Sequence, residues 1–401
     1  MIAGRASDPL AYLGAQIEDW KQAGTYQHLR ELEGPCEAVS RFDGKEVVNL
    51  ASNNYLGLAN HPKLVEAAIA AARKHGAGSG AVRSIAGTMD IHLELERRIA
   101  AFKKVEACVV FQSGYAANAG AVAAILGPED HIISDQLNHA SIIDGARLSK
   151  AKIHVFPHKE AEAAERILTG LDSEAGRKLL ITDGVFSMDG DIAPLPALVV
   201  AARRHGAIMM IDDAHSSGVL GRNGRGTVDH YGLHGKVDIQ VGTLSKAIGV
   251  AGGYVCGSRE LIEYLYHRAR PFLFSTSHPP AVAGACLAAF DILEQEPERI
   301  ERLWENTRYF KDALEAAGFD TGASETPITP VMVGEAKLAH EFSAALFDEG
   351  LFATGIVFPT VPQGKARIRT IVTAAHTREH LDRAIEILSR VGKRMGILAN
   401  A

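Results

Sequence analysis

The feature that most constrains this chain is a series of short, continuously apolar segments separated by stretches with helical spacing. The segments lie at residues 107–111, 131–133, 153–156, 179–182, 207–211, 238–241 and 253–256. Apolar residues that do not alternate with polar ones are typical of strands buried on both faces, as in a parallel sheet covered by helices. The sequence therefore predicts an α/β fold with a mostly parallel central sheet.

The chain before and after this series predicts two smaller units. Apolar residues recur at helical spacing between residues 10 and 20, and a hairpin turn follows at Asp43-Gly44. A charged helix begins near Arg299, and weaker strands follow it. We expect an N-terminal helix and hairpin segment, a large domain and a smaller C-terminal α+β domain, over residues 1–58, 59–290 and 291–401.

The composition of the 401-residue chain argues against several classes of function. The net charge is −6, and no cluster of Lys and Arg predicts nucleic-acid binding. No apolar segment approaches the roughly 18 residues of a membrane span, and the first residues lack the apolar core of a signal peptide. The four cysteines are scattered without a CxxC pattern, and no Cys/His cluster predicts a metal site. We expect a cytoplasmic protein that binds neither nucleic acid, membrane nor metal.

Three chemically distinct side chains follow the ends of predicted strands. Lys246 lies among small and polar residues after the segment 238–241, and Asp212 and His215 follow the segment 207–211. An aldehyde cofactor with a pyridine ring needs an amine to form a Schiff base, a carboxylate to keep the ring nitrogen protonated and an imidazole beside the ring. By spacing alone, Asp213 is as good a candidate for the carboxylate as Asp212.

An anion site is predicted at Ser113-Gly114, where an apolar strand ends and a helix begins. Backbone N–H groups at a helix N-terminus, together with a neighbouring hydroxyl, bind phosphate. Taken alone, the same two residues are equally typical of an ordinary strand-to-helix turn. The prediction therefore depends on the presence of Lys246 and Asp212 in the same chain.

These segments together resemble the α-oxoamine synthases, which are fold-type I pyridoxal-phosphate transferases that join an amino acid to an acyl-CoA. The resemblance spans residues 35–395 and includes the strings Asn-His-Ala-Ser-Ile-Ile-Asp at 138–144 and Asp-Gly-Val-Phe-Ser-Met-Asp-Gly-Asp at 183–191. It implies pyridoxal 5'-phosphate as cofactor and a homodimer with shared active sites. It also favours Asp212 over Asp213, since the aspartate of the family lies three residues before its histidine.

The resemblance also implies a set of site residues. The catalytic ones would be Lys246, His139, Asp212 and His215. The cofactor would contact Ser113, Gly114, Tyr115, His139, Ser187, Asp212, His215, Thr243, Ser245, Lys246, Ser275 and Thr276. Of these, the segment with Ser275 and Thr276 would reach the phosphate in the partner subunit. The amino-acid substrate would contact Asn53, Thr360 and Arg369, the last because its planar fork matches a carboxylate.

The acyl donor is less constrained. Family members that use succinyl-CoA have Thr and Asn where this chain has Val82 and Ser84, and an apolar side chain at 82 does not bind a succinyl carboxylate. The strings at 82–88 and 366–370 are most similar to glycine C-acetyltransferases (2-amino-3-ketobutyrate CoA ligases), so we expect condensation of glycine with acetyl-CoA. The strings at 358–362 and 275–281 are also similar to 8-amino-7-oxononanoate synthases. The alternative is therefore condensation of alanine with a pimeloyl donor, or an enzyme that performs both reactions.

Two other interpretations explain fewer residues. Residues 76–81 match the dinucleotide pattern GxGxxA, but they follow a predicted helix, whereas that fingerprint follows a strand. A non-enzymatic scaffold leaves the combination of Lys246, Asp212 and the surrounding hydroxyl groups unexplained.

Overall fold

The computed structural model describes residues 8–23, 25–26 and 28–398. The helices are α1 (Ala11–Gln22), α2 (Pro62–His75), α3 (Asp90–Lys103), α4 (Gly114–Ile125), α5 (Ala140–Ser149), α6 (Ala161–Gly170), α7 (Leu195–Arg204), α8 (Thr227–His230), α9 (Arg259–Arg268), α10 (Arg270–Leu273), α11 (Pro280–Gln295), α12 (Glu298–Ala316), α13 (Ala336–Asp348) and α14 (Arg378–Arg394). The strands are β1 (Val39–Phe42), β2 (Lys45–Asn49), β3 (Ala107–Phe111), β4 (His131–Asp135), β5 (Lys152–Phe156), β6 (Lys178–Asp183), β7 (Ile208–Asp212), β8 (Ile239–Thr243), β9 (Gly253–Gly257), β10 (Ile328–Gly334), β11 (Leu351–Phe352), β12 (Thr354–Ile356) and β13 (Ala366–Ile371).

The central sheet has seven strands in the order β3-β9-β8-β7-β6-β4-β5. Strand β9 runs antiparallel to both of its neighbours, and the other neighbouring strands are parallel. Each of the seven apolar segments forms one of these strands. The prediction of an α/β fold with a mostly parallel sheet is confirmed.

Apolar layers on both faces of the sheet explain why its strands are continuously apolar. In β7, Met210 packs in one layer with residues of α4 and α5. Its neighbours Met209 and Ile211 pack in the opposite layer with residues of α6 and α7. Since successive side chains of a strand point to opposite faces, burial on both sides requires an apolar residue at every position.

A smaller unit at the C-terminus contains an antiparallel sheet of order β10-β13-β12 and the helices α12, α13 and α14. Its apolar core includes Phe310, Phe342 and Leu388. The predicted C-terminal α+β unit is therefore present. Strand β2 pairs with β11 of this unit, and Val48 lies in the same core. We propose that the N-terminal hairpin belongs to the small domain, and the boundaries at 58 and 290 remain predictions.

The carboxyl ends of the parallel strands place polar residues along one edge of the central sheet. Asp183 and Asp212 are the last residues of β6 and β7 and lie opposite each other in register, and Thr243 ends β8. In sheets of this type ligands bind outside the carboxyl edge. Helix α4 begins at the same edge, directly after β3. No helix in residues 8–23, 25–26 and 28–398 is long and apolar enough to cross a membrane.

Candidate active site

A cavity of about 180 Å³ lies at this edge of the central sheet. Its lining consists of Ser113, Gly114, Tyr115, His139, Ser141, Asp183, Val185, Ser187, Asp212, Ala214, His215, Thr243, Ser245 and Lys246. The structure therefore brings together the predicted cofactor-binding residues, apart from Ser275 and Thr276. Residues far apart in the chain meet here because several strands end and helix α4 begins at the same edge.

Lys246 supplies the amine of the cavity and is half-buried. Burial lowers the pKa of its amine to about 8, although the negative charges of Asp212 and Asp183 oppose this shift. At pH 7 an amine with this pKa is neutral in about a tenth of the molecules, far more than for an ordinary lysine. The neutral form is the one that attacks an aldehyde or accepts a proton.

Asp212 and Asp213 have different environments. Asp212 lines the cavity, where its Oδ2 accepts a hydrogen bond from Asn118 Nδ2 at 2.6 Å and its Oδ1 accepts one from the N–H of Ala214 at 2.8 Å. Asp213 instead pairs with Lys103 at 2.6 Å, and neither side chain of that pair is exposed. Only Asp212 is therefore placed to meet a ligand in the cavity.

His215 contacts the buried side chain of Tyr55, whose Oη lies 2.8 Å from His215 Nδ1. Burial lowers the pKa of His215 well below its usual value, and the charge of Lys246 adds to the effect. The imidazole is therefore neutral at neutral pH. Since Nδ1 is engaged by Tyr55, Nε2 is the nitrogen available to a ligand.

His139 is positioned through Asp183. The backbone N–H of His139 donates to Asp183 Oδ2 at 2.9 Å, and the ring Nδ1 of His139 lies 2.7 Å from Ser141 Oγ. Burial raises the pKa of Asp183 well above its usual value, and the nearby charge of Asp212 adds to the shift. Burial lowers the pKa of His139. The imidazole is therefore neutral, and it is held at the N-terminus of α5, where it lines the same cavity as Lys246.

The N-terminus of α4 and the end of β8 form an anion-binding surface. The Ser113 Oγ accepts a hydrogen bond from the N–H of Ala116 at 3.0 Å and caps the helix. A Cβ at Gly114 would lie 3.2 Å from Thr243 Cβ, so the close approach of helix and strand favours glycine. The hydroxyls of Thr243 and Ser245 lie 2.8 Å apart, and both residues line the cavity together with Gly114. Backbone N–H groups and hydroxyls in this arrangement suit a phosphate.

Comparison with known proteins agrees with this geometry. Residues 45–388 match the family of class I and II aminotransferases. The 8-amino-7-oxononanoate synthase of Symbiobacterium thermophilum is 60% identical over 387 residues, which cover 96% of this chain and 99% of that protein. The chain belongs to the class I and II aminotransferase family. Within this family it is an enzyme of the α-oxoamine synthase group.

Two further comparisons support the same family. The 8-amino-7-oxononanoate synthase of Thermoanaerobacter pseudethanolicus is 57% identical, over 97% of this chain and 98% of that protein. A solved structure of a serine palmitoyltransferase with a pyridoxal-phosphate internal aldimine superposes with a TM-score of 0.93 at 32% identity, covering 98% of this chain and 100% of that one. The prediction of a fold-type I transferase is thereby confirmed.

The expected condensation of glycine with acetyl-CoA is wrong, because the high-identity family members are 8-amino-7-oxononanoate synthases. The motifs behind that expectation have structural roles. Arg83 is buried and forms two hydrogen bonds with Glu96, at 2.9 and 3.0 Å. Arg367 donates to the carbonyl of Met188 at 3.0 Å and to Asp189 at 2.5 Å. In this structure the arginines of these strings therefore serve packing, and the strings do not identify the acyl donor.

The predicted substrate residues lie outside the cavity lining. Arg369, on β13, reaches the site from the small domain, and its Nη1 donates to the carbonyl of Ser187 at 3.3 Å. Asn53 has a buried Oδ1 without a hydrogen-bond partner among the described residues. Thr360 is exposed and lines a separate groove with Leu29 and Phe352.

Ser275 and Thr276 also lie outside the cavity. They precede α11, and Thr276 is exposed while its carbonyl accepts a hydrogen bond from Gln112 Nε2 at 2.5 Å. Their predicted contact is with the cofactor of a partner subunit. A single chain does not test that prediction.

Sequence reasoning missed several residues of the site. Asn118, Tyr55 and Asp183 each contact a predicted residue directly. Two of them carried a signal, since Asn118 is a polar residue in an alanine-rich helix and Asp183 ends its strand in the same way as Asp212. Tyr55 carried none, because its contact joins positions 160 residues apart. Among the residues described, no group of three His, Cys, Asp or Glu side chains is arranged to hold a metal ion.

Proposed function

We propose that this protein is a pyridoxal-phosphate-dependent acyltransferase that condenses alanine with a pimeloyl thioester. The products are 8-amino-7-oxononanoate, carbon dioxide and the free thiol. The high identity to synthases of that name along nearly the whole chain carries the choice of substrates. The amine of Lys246 beside the carboxylate of Asp212, at a helix N-terminus that suits phosphate, supports the cofactor.

The residues present fit pyridoxal 5'-phosphate. Gly114, Thr243 and Ser245 offer an anion-binding surface of the kind a phosphate needs. Asp212 offers a buried carboxylate for a protonated ring nitrogen, and Asn118 fixes its orientation. When bound, this cofactor supplies a conjugated, protonated ring that accepts the negative charge formed at the α-carbon of an amino acid.

Lys246 handles the proton of the α-carbon in this proposal. Its amine has a pKa of about 8, so it accepts a proton near neutral pH and can return it in a later step. The negative charge of Asp212 would keep a proton on the ring nitrogen of the bound cofactor. His215 presents Nε2, while Tyr55 restrains the other nitrogen.

Arg369 is the proposed binding group for the carboxylate of alanine. It forms no ion pair among the residues that the structure describes, and its only hydrogen bond there is with the carbonyl of Ser187. A guanidinium without a carboxylate partner is suited to bind one in two parallel hydrogen bonds. Asn53 and Thr360 are proposed as further contacts of substrate.

His139 is the proposed group at the acyl carbonyl. Its imidazole is neutral, because burial lowers its pKa. A neutral imidazole can donate a hydrogen bond to a carbonyl oxygen as negative charge develops there. The new carbon–carbon bond then joins the α-carbon of alanine to the pimeloyl carbonyl carbon, the thiol departs, and the alanine carboxylate is released as carbon dioxide.

A second copy of the chain is proposed to complete the site. The large apolar residues of α1 are exposed, with Tyr12 at 57% and Trp20 at 52%. A helix of 12 residues is marginal in water unless an apolar face packs against something. We propose that the partner subunit covers α1 and receives Ser275 and Thr276 at its phosphate.

The free thiols of Cys108, Cys256 and Cys286 support a reducing, cytoplasmic environment.

A matrix of substrates tests this function. Thiol release is measured for alanine, glycine and serine, each combined with pimeloyl-CoA, acetyl-CoA and palmitoyl-CoA. Alanine with pimeloyl-CoA should give the highest kcat/KM, and mass spectrometry of the product should show loss of carbon dioxide. A higher kcat/KM for any other pair would contradict the proposal.

A further inference from the structure

A cluster of charged side chains lies beside the cavity and joins three parts of the molecule. It consists of Asp135 at the end of β4, His158 and Lys159 after β5, Asp191 in the loop after β6, and Glu325 before β10. We call these five residues the His158 cluster. The proposed mechanism assigns none of them a role.

His158 bonds to a carboxylate through each of its ring nitrogens. Its Nδ1 lies 3.0 Å from Asp135 Oδ1, and its Nε2 lies 2.9 Å from Asp191 Oδ2. Ionised carboxylates only accept hydrogen bonds, so both nitrogens must carry a proton. The side chains of Asp135 and Asp191 are 1% and 6% exposed, which makes the loss of either bond costly.

Asp135 and Asp191 also order segments that carry cavity residues, the first through its carboxylate and the second through its backbone carbonyl. Asp135 Oδ1 accepts from the N–H of Leu137 at 2.9 Å, in the turn that leads to His139. Asp191 closes the loop of residues 184–192, where its carbonyl accepts from the N–H of Phe186 at 3.1 Å, next to Ser187. The His158 ring packs edge-on against Phe186, with the ring centroids 4.3 Å apart.

The small domain contacts the same loop. Lys159 Nζ lies 3.1 Å from Asp191 and 3.2 Å from Glu325. The Glu325 carboxylate accepts from the N–H of Ile192 at 3.2 Å, and the N–H of Glu325 donates to the carbonyl of Gly190. The loop that presents Ser187 is therefore attached on one side to β4 through His158 and on the other to the small domain.

We propose that His158 is a positioning residue, and that its doubly bonded imidazolium holds the 184–192 loop and the His139 turn in the arrangement that binds the cofactor. This inference rests on the proposed cofactor but not on the identity of either substrate. His158 does not line the cavity, so it acts through Ser187 and His139.

The inference predicts a specific dependence on pH. Burial lowers the pKa of His158, but hydrogen bonds and charges from Asp135 and Asp191 outweigh burial and raise the pKa to about 9. Two further charged groups lie close to the carboxylates that bind His158. Lys159 contacts Asp191 directly, and Glu325 contacts Lys159. A histidine whose pKa is higher in the folded state stabilises that state. The stabilisation is complete below the pKa of the unfolded chain, about 6.5, and is lost as the pH rises through about 9.

The test compares cofactor binding by His158→Gln and the wild-type protein. The dissociation constant of pyridoxal 5'-phosphate is measured on reconstitution of the apoprotein between pH 7 and pH 10. We expect His158→Gln to raise it about tenfold at pH 7, as for loss of one charge-assisted hydrogen bond. The ratio of variant to wild type should fall towards one at pH 10, because the wild type has then lost the same proton. Lys246 also titrates in this pH range, but it does so in both proteins, so its effect on the dissociation constant cancels in the ratio.

One further variant serves as a control, and another replaces His158→Gln if that variant does not fold. His205 also pairs with an aspartate, Asp172 at 2.8 Å, but neither residue of that pair has a hydrogen bond to the 184–192 loop or to the turn that leads to His139, so His205→Gln should change the constant less than about twofold. Should His158→Gln fail to fold, Asp191→Asn removes the negative charge that stabilises the imidazolium, with little change of shape, and should raise the constant by a similar factor. A ratio near one at pH 7, or a raised ratio that does not vary with pH, would overturn the inference.

Hydrogen exchange of the apoprotein tests the loop attachment without the cofactor. Amides of residues 184–192 should exchange about tenfold faster in His158→Gln than in wild type at pH 7, whereas β7 should be unchanged. Equal exchange of the loop in both proteins overturns the inference. Absence of cofactor binding by the wild type, together with faster loop exchange in the variant, would reject the proposed function and leave the loop attachment supported.

Discussion

At the scale of single residues, burial decides the chemistry of Lys246. The side chain is half-buried in the cavity, and burial lowers the pKa of the amine to about 8 despite two neighbouring carboxylates. An exposed lysine would remain protonated and could neither attack an aldehyde nor accept a proton near neutral pH. The position of Lys246 at the end of β8 therefore determines its reactivity.

Replacing Lys246 should abolish activity. We expect Lys246→Ala to show no thiol release above background with alanine and pimeloyl-CoA, because no other amine lines the cavity among the described residues. The exposed Lys337 on α13 is a matched control, and Lys337→Ala should keep wild-type kcat. Measurable turnover by Lys246→Ala would reject the proposed role in proton transfer.

The adjacent aspartates should respond differently to the same substitution. Asp212→Asn should lower kcat/KM by about 100-fold or more, since it removes a buried charge from the site. Asp213→Asn should instead lower the free energy of unfolding by about 3–5 kcal/mol, because it leaves the charge of Lys103 buried without an opposite charge. Steady-state kinetics and denaturant unfolding of both variants make the comparison. Loss of activity in Asp213→Asn together with loss of stability in Asp212→Asn would contradict the assignment of these two aspartates.

The sequence predicted most cavity residues but did not separate these two aspartates by spacing. Both follow the same strand, and only the side chains that approach from elsewhere distinguish them. Lys103 neutralises one and Asn118 orients the other. Contacts of this kind join distant parts of the chain, so a local pattern does not reveal them. The resemblance to a family supplied the choice of Asp212.

At the scale of elements, β13 brings the small domain to the active site. Arg367 and Arg369 are two positions apart and both reach the loop after β6, as the alternation of a strand predicts. Their surroundings differ, because Arg367 is paired with Asp189 and Arg369 has no acidic partner in the described chain. One arginine thus fixes the loop, and the other remains available for substrate.

Replacing Arg369 should affect one substrate only. We expect Arg369→Lys to raise KM for alanine at least about tenfold, because an ammonium does not reproduce two parallel hydrogen bonds to a carboxylate. The KM for pimeloyl-CoA in the same variant serves as an internal control and should change less than about twofold. Equal increases in both KM values would indicate general damage to the site and contradict the assignment.

At the scale of the whole molecule, the central sheet was the easiest part to predict. Its strands are buried on both faces, so each gives a continuous apolar signal, and all seven formed where the sequence indicated. The pairing of β2 with β11 was not predicted, because β11 has only two residues and the strands lie about 300 positions apart. The acyl donor was assigned incorrectly, since the motifs used for it serve packing.

Subunit complementation tests whether two chains share each active site. Lys246→Ala is co-expressed with the double variant Ser275→Ala/Thr276→Ala, each of which should be weakly active or inactive alone. A mixed dimer contains one site with both defects and one site with neither, so it should recover about half of the wild-type activity per dimer. Purified mixed dimers without recovered activity would contradict shared sites.

The central claim is that the amine of Lys246 forms a covalent bond with pyridoxal 5'-phosphate, and borohydride reduction followed by peptide mapping tests it most directly. The holoprotein is reduced and digested, and the modified peptide is sequenced by mass spectrometry. We expect the phosphopyridoxyl group on the peptide that contains Lys246 and on no other. A label on another lysine, or an unmodified Lys246 peptide from fully loaded protein, would contradict the account.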